Sequence, residues 1–152
     1  MILLKPMNPI HLEAVHEIER ACFITPWSKE TILTEITSNS TTVYIVALVL
    51  QSFSPPEVAG YAGMWQLADE GHVTNLAVKE SRRRQGIATM LLNHLTKLAI
   101  DRNLCGLTLE VRVTNTAAQD LYIQQGYVIE GRRKGYYADT GEDAFIMWKR
   151  IR

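Results

Sequence analysis

A stretch of 24 residues, His72 to Leu95 (HVTNLAVKESRRRQGIATMLLNHL), restricts the fold more than any other part of the chain. His72 to Val78 reads as a strand, a polar turn rich in arginine leads into Gly86-Ile87-Ala88, and a helical pattern follows at once, from about Gln85 to Arg102. A helix start carries unpaired backbone N–H groups and the positive end of the macrodipole, so an anion lying there gains hydrogen bonds and charge stabilisation together. Gly86 and Ala88 keep the backbone open to close approach. The stretch therefore predicts a strand, a turn and a helix with a phosphate site at the junction.

The remaining elements follow from periodicity and punctuation. Ile2 to Lys5 is a short strand, and Asn8-Pro9 is an N-cap with proline at the first helical position. Ile10, Val15, Ile18 and Cys22 recur near helical spacing, with His11, Glu13, Glu17 and Glu19 between them. Thr25-Pro26-Trp27-Ser28 interrupts the pattern, and Ser28 caps a second short helix carrying Ile32, Leu33 and Ile36. Strands are expected over Thr42 to Leu50, Val58 to Gln66, Glu70 to Val78 and Leu104 to Val113. Thr114 or Asn115 caps a helix through Leu121 and Tyr122, with Gly126 suited to its end. Tyr127 to Arg132 and Asp143 to Lys149 form a closing hairpin. The order of these elements makes an α+β or mixed α/β sheet with helices on its faces.

With 152 residues and no linker or low-complexity segment, the chain is expected to be one domain over residues 1–152. Sixteen basic residues balance sixteen acidic ones, so overall charge steers it toward neither nucleic acid nor an anionic membrane. No run approaches the eighteen or so apolar residues of a membrane span, and MILLKPMNP breaks at prolines before a signal-peptide core forms. Cys22 and Cys105 lie far apart without Cys-x-x-Cys spacing, which argues against a zinc site or disulfide framework and for a reducing cytoplasm. His11, His16, His72 and His94 show no metal-binding spacing, so no metal is expected.

Arg83-x-x-Gly86-x-Ala88 is neither a P-loop nor a Rossmann fingerprint. It resembles the Gln/Arg-x-x-Gly-x-Gly/Ala signature of the GNAT acetyltransferases, and the order of elements matches that family over nearly the whole chain. PWS at Pro26 to Ser28, NLAV at Asn75 to Val78, RRQGIA at Arg83 to Ala88, LEVR at Leu109 to Arg112, Asn115, LY at Leu121-Tyr122 and RRKGYYADTGEDAFIM near the C-terminal end resemble the RimI branch. That branch acetylates the N-terminal alanine of a small-subunit ribosomal protein.

The resemblance implies a GNAT fold: a mixed, mostly antiparallel sheet of about seven strands with helices on both faces. It implies acetyl-CoA as cosubstrate, with Leu76, Ala77 and Val78 bonding the pantetheine arm. Arg83, Arg84, Gln85, Gly86, Ile87, Ala88 and Thr89 would surround the pyrophosphate, and Asn115 would contact the cosubstrate near the thioester. Glu110 is implied as general base and Tyr122 as general acid, with direct transfer and no acetyl-enzyme. Pro26, Trp27, Tyr136 and Tyr137 would wall the pocket for a protein N-terminus, with the N-terminal alanine of a small-subunit ribosomal protein as the implied target.

The residues themselves bear on these roles unevenly. A carboxylate in the apolar run Leu107 to Val111 is open to having its pKa raised by burial, yet Glu110 can equally pair with Arg112 two positions on. Alone, Tyr122 reads as a core tyrosine and Trp27 as an anchor between two helices. Arg82-Arg83-Arg84 alone reads as a solvated turn, and its place directly before Gly86 favours an anion site. An α-amino group has a pKa of about 7.7 to 8.0 against about 10.4 for lysine, so a modest base suffices for an N-terminal amine. Acetylation of a lysine or a small amine, or an acyl-CoA or protein-binding module without catalysis, remains the alternative.

Overall fold

The computed structural model describes residues 1–37 and 41–152. They group into two compact units, Met1–Trp65 with Thr74–Leu92 and Gln66–Val73 with Asn93–Arg152.

In the first unit, β1 (Ile2–Pro6) pairs antiparallel with β2 (Thr42–Val49), running one residue past the predicted end because Pro6 still faces Ile45 in the ladder. Asn8 caps the next turn as predicted, its side chain accepting from the Ile10 amide at 3.1 Å while the His11 ring accepts from the Asn8 amide. That turn is a 3-10 turn over Pro9–His11, and α1 begins only at Leu12 and runs to Cys22. Ile10 consequently leaves the predicted apolar stripe and is 84% exposed, whereas Val15 and Ile18 are buried.

After α2 (Lys29–Thr37), β2 pairs antiparallel with β3 (Glu57–Leu67). Residues 58–64 of β3 are buried without alternation, the pattern of a strand covered on both faces. β4 (Glu70–Val78) alternates instead, with Gly71, Val73, Asn75 and Ala77 buried. Met7, Val15, Ile18, Ile32, Tyr44, Val46, Val58, Tyr61 and Ala77 form the core of the first unit. Burying side chains of this size contributes roughly 1.5–3 kcal/mol for each large one, and this holds α1 and α2 in place.

In the second unit, β4 begins in a parallel pairing with β5 (Gly106–Arg112) over Glu70↔Gly106 to His72↔Thr108. β5 runs antiparallel to β7 (Ala144–Arg150), which pairs on its other side with β6 (Val128–Arg133). The long helix α3 (Ile87–Asp101) precedes β5, and α4 (Thr116–Gln124) joins β5 to β6. Leu107, Leu109, Val111, Tyr127, Ala144 and Met147 are buried here, and the buried Thr108 hydroxyl donates to the Met147 carbonyl at 2.9 Å. The strand order is β1-β2-β3-β4-β5-β7-β6. This is the mixed, mostly antiparallel seven-stranded sheet with flanking helices that the sequence predicted.

Candidate functional site

The residues assigned by resemblance divide between the units. Pro26, Trp27, Leu76 to Val78 and Arg83 to Thr89 belong to the first; Glu110, Asn115, Tyr122, Tyr136 and Tyr137 belong to the second.

In the first unit, β4 ends at Val78 and a 3-10 turn over Glu80–Arg82 leads to the helix start. Arg82 donates to Glu57 through Nη2 at 2.9 Å and Nε at 3.1 Å, and Lys79 adds a contact at 3.2 Å. The Arg82 hydrogen bonds, with help from Lys79, hold the Glu57 carboxyl down to about 2. Arg83 turns back into the protein, Nε donating to the Val78 carbonyl at 3.2 Å and Nη2 to Cys22 Sγ at 3.4 Å. Two members of the arginine run therefore fasten the turn.

Arg84 and Gly86 take positive φ, 64° and 78°. α3 starts two residues later than predicted because these left-handed positions cannot be part of it. The Met90 amide is the first in this helix to bond back, to the Gly86 carbonyl at 3.0 Å. Among the described residues the Ile87, Ala88 and Thr89 amides bond to no main-chain carbonyl, as the first turn of a helix requires. A Cβ built on Gly86 meets nothing within 4 Å, so open space lies beside the backbone. A phosphate fits this turn by charge, donor geometry and room.

Trp27 is half-buried, its ring 6.5 Å from that of Tyr44 and packed on the core cluster, while Pro26 is exposed. The Trp27 amide donates to Glu19 Oε2 at 2.9 Å. Glu19 is only 2% exposed, and its other oxygen accepts from the Tyr61 hydroxyl and from Asn75 Nδ2. Burial and the adjacent Glu19 carboxylate push the Tyr61 phenol far up. This buried carboxylate contradicts its reading as a polar position between apolar ones. The signal was present, since Glu19 lies four residues after Val15 and three before Cys22, on their face of α1.

In the second unit, Glu110 lies on β5 with its side chain 14% exposed and Oε1 3.7 Å from Arg133 Nε. Its partner is thus Arg133; the Arg112 considered from sequence is engaged elsewhere. Arg112 Nη2 donates to Asp139 Oδ2 at 2.7 Å, Nη1 lies 3.3 Å from Glu142 Oε1, and the guanidinium covers the Tyr137 ring at 3.9 Å. Arg133 in turn sits 5.8 Å from the centre of the Tyr136 ring, which meets Tyr137 edge-on at 5.1 Å.

Tyr122 is half-buried on α4, its ring 5.6 Å from that of Tyr127. Desolvation, with Tyr137 adding, pushes the Tyr122 phenol up to about 12. Tyr137 also rises to about 12, mainly by burial, against the lowering effect of Arg112. After burial, the Glu110 carboxylate adds a smaller upward push on both Tyr136 and Tyr137. Asn115 supplies the predicted cap, Oδ1 accepting from the Ala118 amide at 3.2 Å. The pairings of Arg112 with Asp139 and Glu142, and of Arg133 with Glu110, were not foreseen from sequence, because these partners lie far apart along the chain with no periodicity between them. Among the described residues, no group of three or more metal-ligating side chains occurs, and no helix is long and apolar enough to cross a membrane.

Comparison with known proteins bears on the whole chain. A Bacillus subtilis (strain 168) protein provisionally named for alanine N-acetylation of ribosomal protein bS18 is 38% identical over 140 residues, covering 92% of this chain and 89% of its own. The ribosomal protein bS18-alanine N-acetyltransferase of Escherichia coli (strain K12) is 32% identical over 149 residues, 97% of this chain and 96% of its own. The crystal structure of the ribosomal-protein-S18-alanine N-acetyltransferase from Escherichia coli superposes with a TM-score of 0.85 at 30% identity, over 99% of this chain and 94% of that one. The family model described as Acetyltransferase (GNAT) family matches residues 12–127. From β4 through the open helix start to the strand that carries Glu110, and in sequence over most of its length, the chain belongs to the GNAT acetyltransferase family.

Proposed function

We propose that this GNAT acetyltransferase acetylates the N-terminal amine of a protein, with the N-terminal alanine of a small-subunit ribosomal protein as its target and the cytoplasm as its place of action. The observation that carries the reading is the start of α3, where the first amides are free of main-chain partners among the described residues and open space lies at Gly86, across the turn that follows β4. Acetyl-CoA supplies the acetyl thioester; its pyrophosphate belongs on the amides of Arg84 to Thr89, with Arg83 bracing the turn through Val78 and Cys22. The backbone of Leu76 to Val78 takes the pantetheine arm, and Asn115 is assigned to the cosubstrate through the family resemblance. The acceptor assignment is supported by the names of the two relatives, which align over nine-tenths of the chain or more.

Glu110 takes the proton of the acceptor amine, directly or through one water, and Arg133 orients its carboxylate. Tyr122 carries its proton at neutral pH, as an ordinary phenol does and as desolvation further ensures, and gives it to the departing thiolate; the phenolate left behind is then reprotonated from solvent. Pro26 and Trp27 in the first unit, and Tyr136 and Tyr137 in the second, are each assigned to the first residues of the acceptor. The test offers the protein acetyl-CoA and two peptides, one beginning with alanine and one blocked at its N-terminus but bearing lysine. Mass spectrometry should locate the acetyl group on the free α-amine; modification confined to lysine would assign the protein to a different acceptor.

A further inference from the structure

We infer that Glu19 is a positioning residue for the acceptor: its buried carboxylate fixes the Pro26-Trp27 loop and thereby sets how tightly an N-terminus is held. The inference rests on the reading of that loop as an acceptor wall. It concerns a residue to which that reading gives no role.

Glu19 holds the loop at both ends. Its main-chain carbonyl accepts from the Phe23 amide at 3.1 Å and closes α1, while its Oε2 accepts from the Trp27 amide at 2.9 Å. Among the described residues, this second bond is the one main-chain hydrogen bond made by residues 24–27 before Ser28 opens α2. Behind the carboxylate stand the Tyr61 hydroxyl on β3 and Asn75 Nδ2 on β4, both donating to Oε1. Asn75 directly precedes Leu76, the first residue of the proposed track for the pantetheine arm. One side chain therefore ties the loop to two core strands.

The chemistry of the tie is informative. A carboxylate buried without a cationic partner carries a large desolvation cost, and hydrophobic side chains of similar volume would stabilise a core at least as well. No lysine, arginine or histidine pairs with Glu19 among the described residues. What a carboxylate offers that an apolar side chain lacks is two acceptor oxygens in one plane. Here one faces the loop and the other faces the sheet. Such a link fixes the loop in one place, and reactions between two bound partners are sensitive to displacements of about 1 Å.

The experiment compares Glu19→Ala, Glu19→Gln, Tyr61→Phe and Trp27→Ala in the full chain, using an alanine-initial peptide as acceptor. For Glu19→Ala the acceptor KM should rise about tenfold, equivalent to about 1.4 kcal/mol of binding, with kcat and the acetyl-CoA Kd little changed. Hydrogen exchange should show the Trp27 amide losing its protection. Glu19→Gln should restore most of both, because its oxygen serves the Trp27 amide while its NH2 donates to Asn75 Oδ1, a buried acceptor without a partner among the described residues, once the Asn75 amide turns over and the Tyr61 hydroxyl accepts. Tyr61→Phe should lower the Tm while leaving the acceptor KM in place.

An unchanged KM in Glu19→Ala, or an equal rise in Tyr61→Phe, would overturn the inference. If Glu19→Ala does not fold, Glu19→Asp keeps the charge and withdraws the oxygens by one carbon; it should raise the KM, and an unchanged value overturns the inference equally. Trp27→Ala separates the two levels of argument. If it leaves the acceptor KM unchanged, the loop is no acceptor wall; if it raises the KM and the Glu19 variants do not, only the role of Glu19 is lost.

Discussion

The turn before α3 and the loop between β6 and β7 are both irregular, glycine-bearing and rich in charge, yet they use their polar groups in opposite ways. In the turn, side chains are occupied by other parts of the protein: Arg82 on Glu57, Arg83 on Val78 and Cys22. The Arg82 and Arg83 amides bond within the turn, to the Lys79 and Glu80 carbonyls, and the amides after them, short of Met90, are what it leaves open. In the β6–β7 loop the backbone is tied down, with the Gly135 amide on Asp143 at 2.8 Å, the Tyr137 amide on the Glu142 carbonyl at 3.1 Å and the Gly141 amide on the Tyr137 carbonyl at 2.7 Å. Arg112 and Arg132 then bind its acids from outside. What this loop leaves exposed is side chain, above all Tyr136 at 47%. A backbone made available suits a ligand portion that never varies, whereas presented side chains suit an acceptor that must be distinguished from others.

The largest effect should come where a side chain performs chemistry. Glu110→Gln should lower kcat by about 10²–10⁴, the usual contribution of a general base, and leave the acetyl-CoA Kd unchanged in calorimetry. A comparable loss of acetyl-CoA binding would place Glu110 with the donor groups and break the contrast.

Arg112→Met should come second. It removes the bonds to Asp139, Thr140 and Glu142 and the cover on Tyr137. A loss of about 2 kcal/mol in urea unfolding is expected for charged hydrogen bonds of this kind, together with a raised acceptor KM. Gly86→Ala then probes the turn: a left-handed L-residue costs roughly 1–2 kcal/mol, and acetyl-CoA should bind several-fold more weakly. Arg84→Ala should alter that Kd by less than Gly86→Ala. If the order were reversed, the turn would grip by side chain and not by backbone.

The smallest effects lie in pH. Phenols raised to about 12 at Tyr44, Tyr122 and Tyr137 stabilise the folded state fully below their unfolded pKa of about 10, and that stability drains as pH rises from 10 toward 12. Glu57, held near 2, acts on the acid side: its contribution is present above about pH 4.5 and lost as pH falls toward 2. Thermal melts across both ranges should show the alkaline limb weakened in Tyr122→Phe and the acid limb weakened in Glu57→Gln.

The sequence was legible where periodicity or punctuation acts locally. The cap at Asn8, the cap at Asn115, the alternation of β4 and the anion turn all depend on neighbours a few residues apart. It was illegible where a residue's meaning lies with a distant partner. The spacing of Glu19 puts it on the apolar face of α1, yet why a carboxylate stands there shows only when Tyr61 and Asn75 arrive from β3 and β4, 42 and 56 residues further along the chain. Arg112 looks like the partner of Glu110 until the loop brings Asp139 and Glu142 to it. The start of α3 was misplaced by two residues for a local reason: the handedness of Arg84 and Gly86 is a backbone property that their side chains do not announce.

That handedness has a stereochemical consequence at Gly86. With nothing within 4 Å of an added L-methyl group, size is no obstacle there, and the whole resistance to substitution is torsional. Mirror-image chemistry turns this into an advantage, since a φ of 78° is ordinary for a D-residue. A chain assembled by ligation with D-alanine at this position would bend the same way without the penalty of its L-counterpart, and would lose less freedom on folding than glycine does.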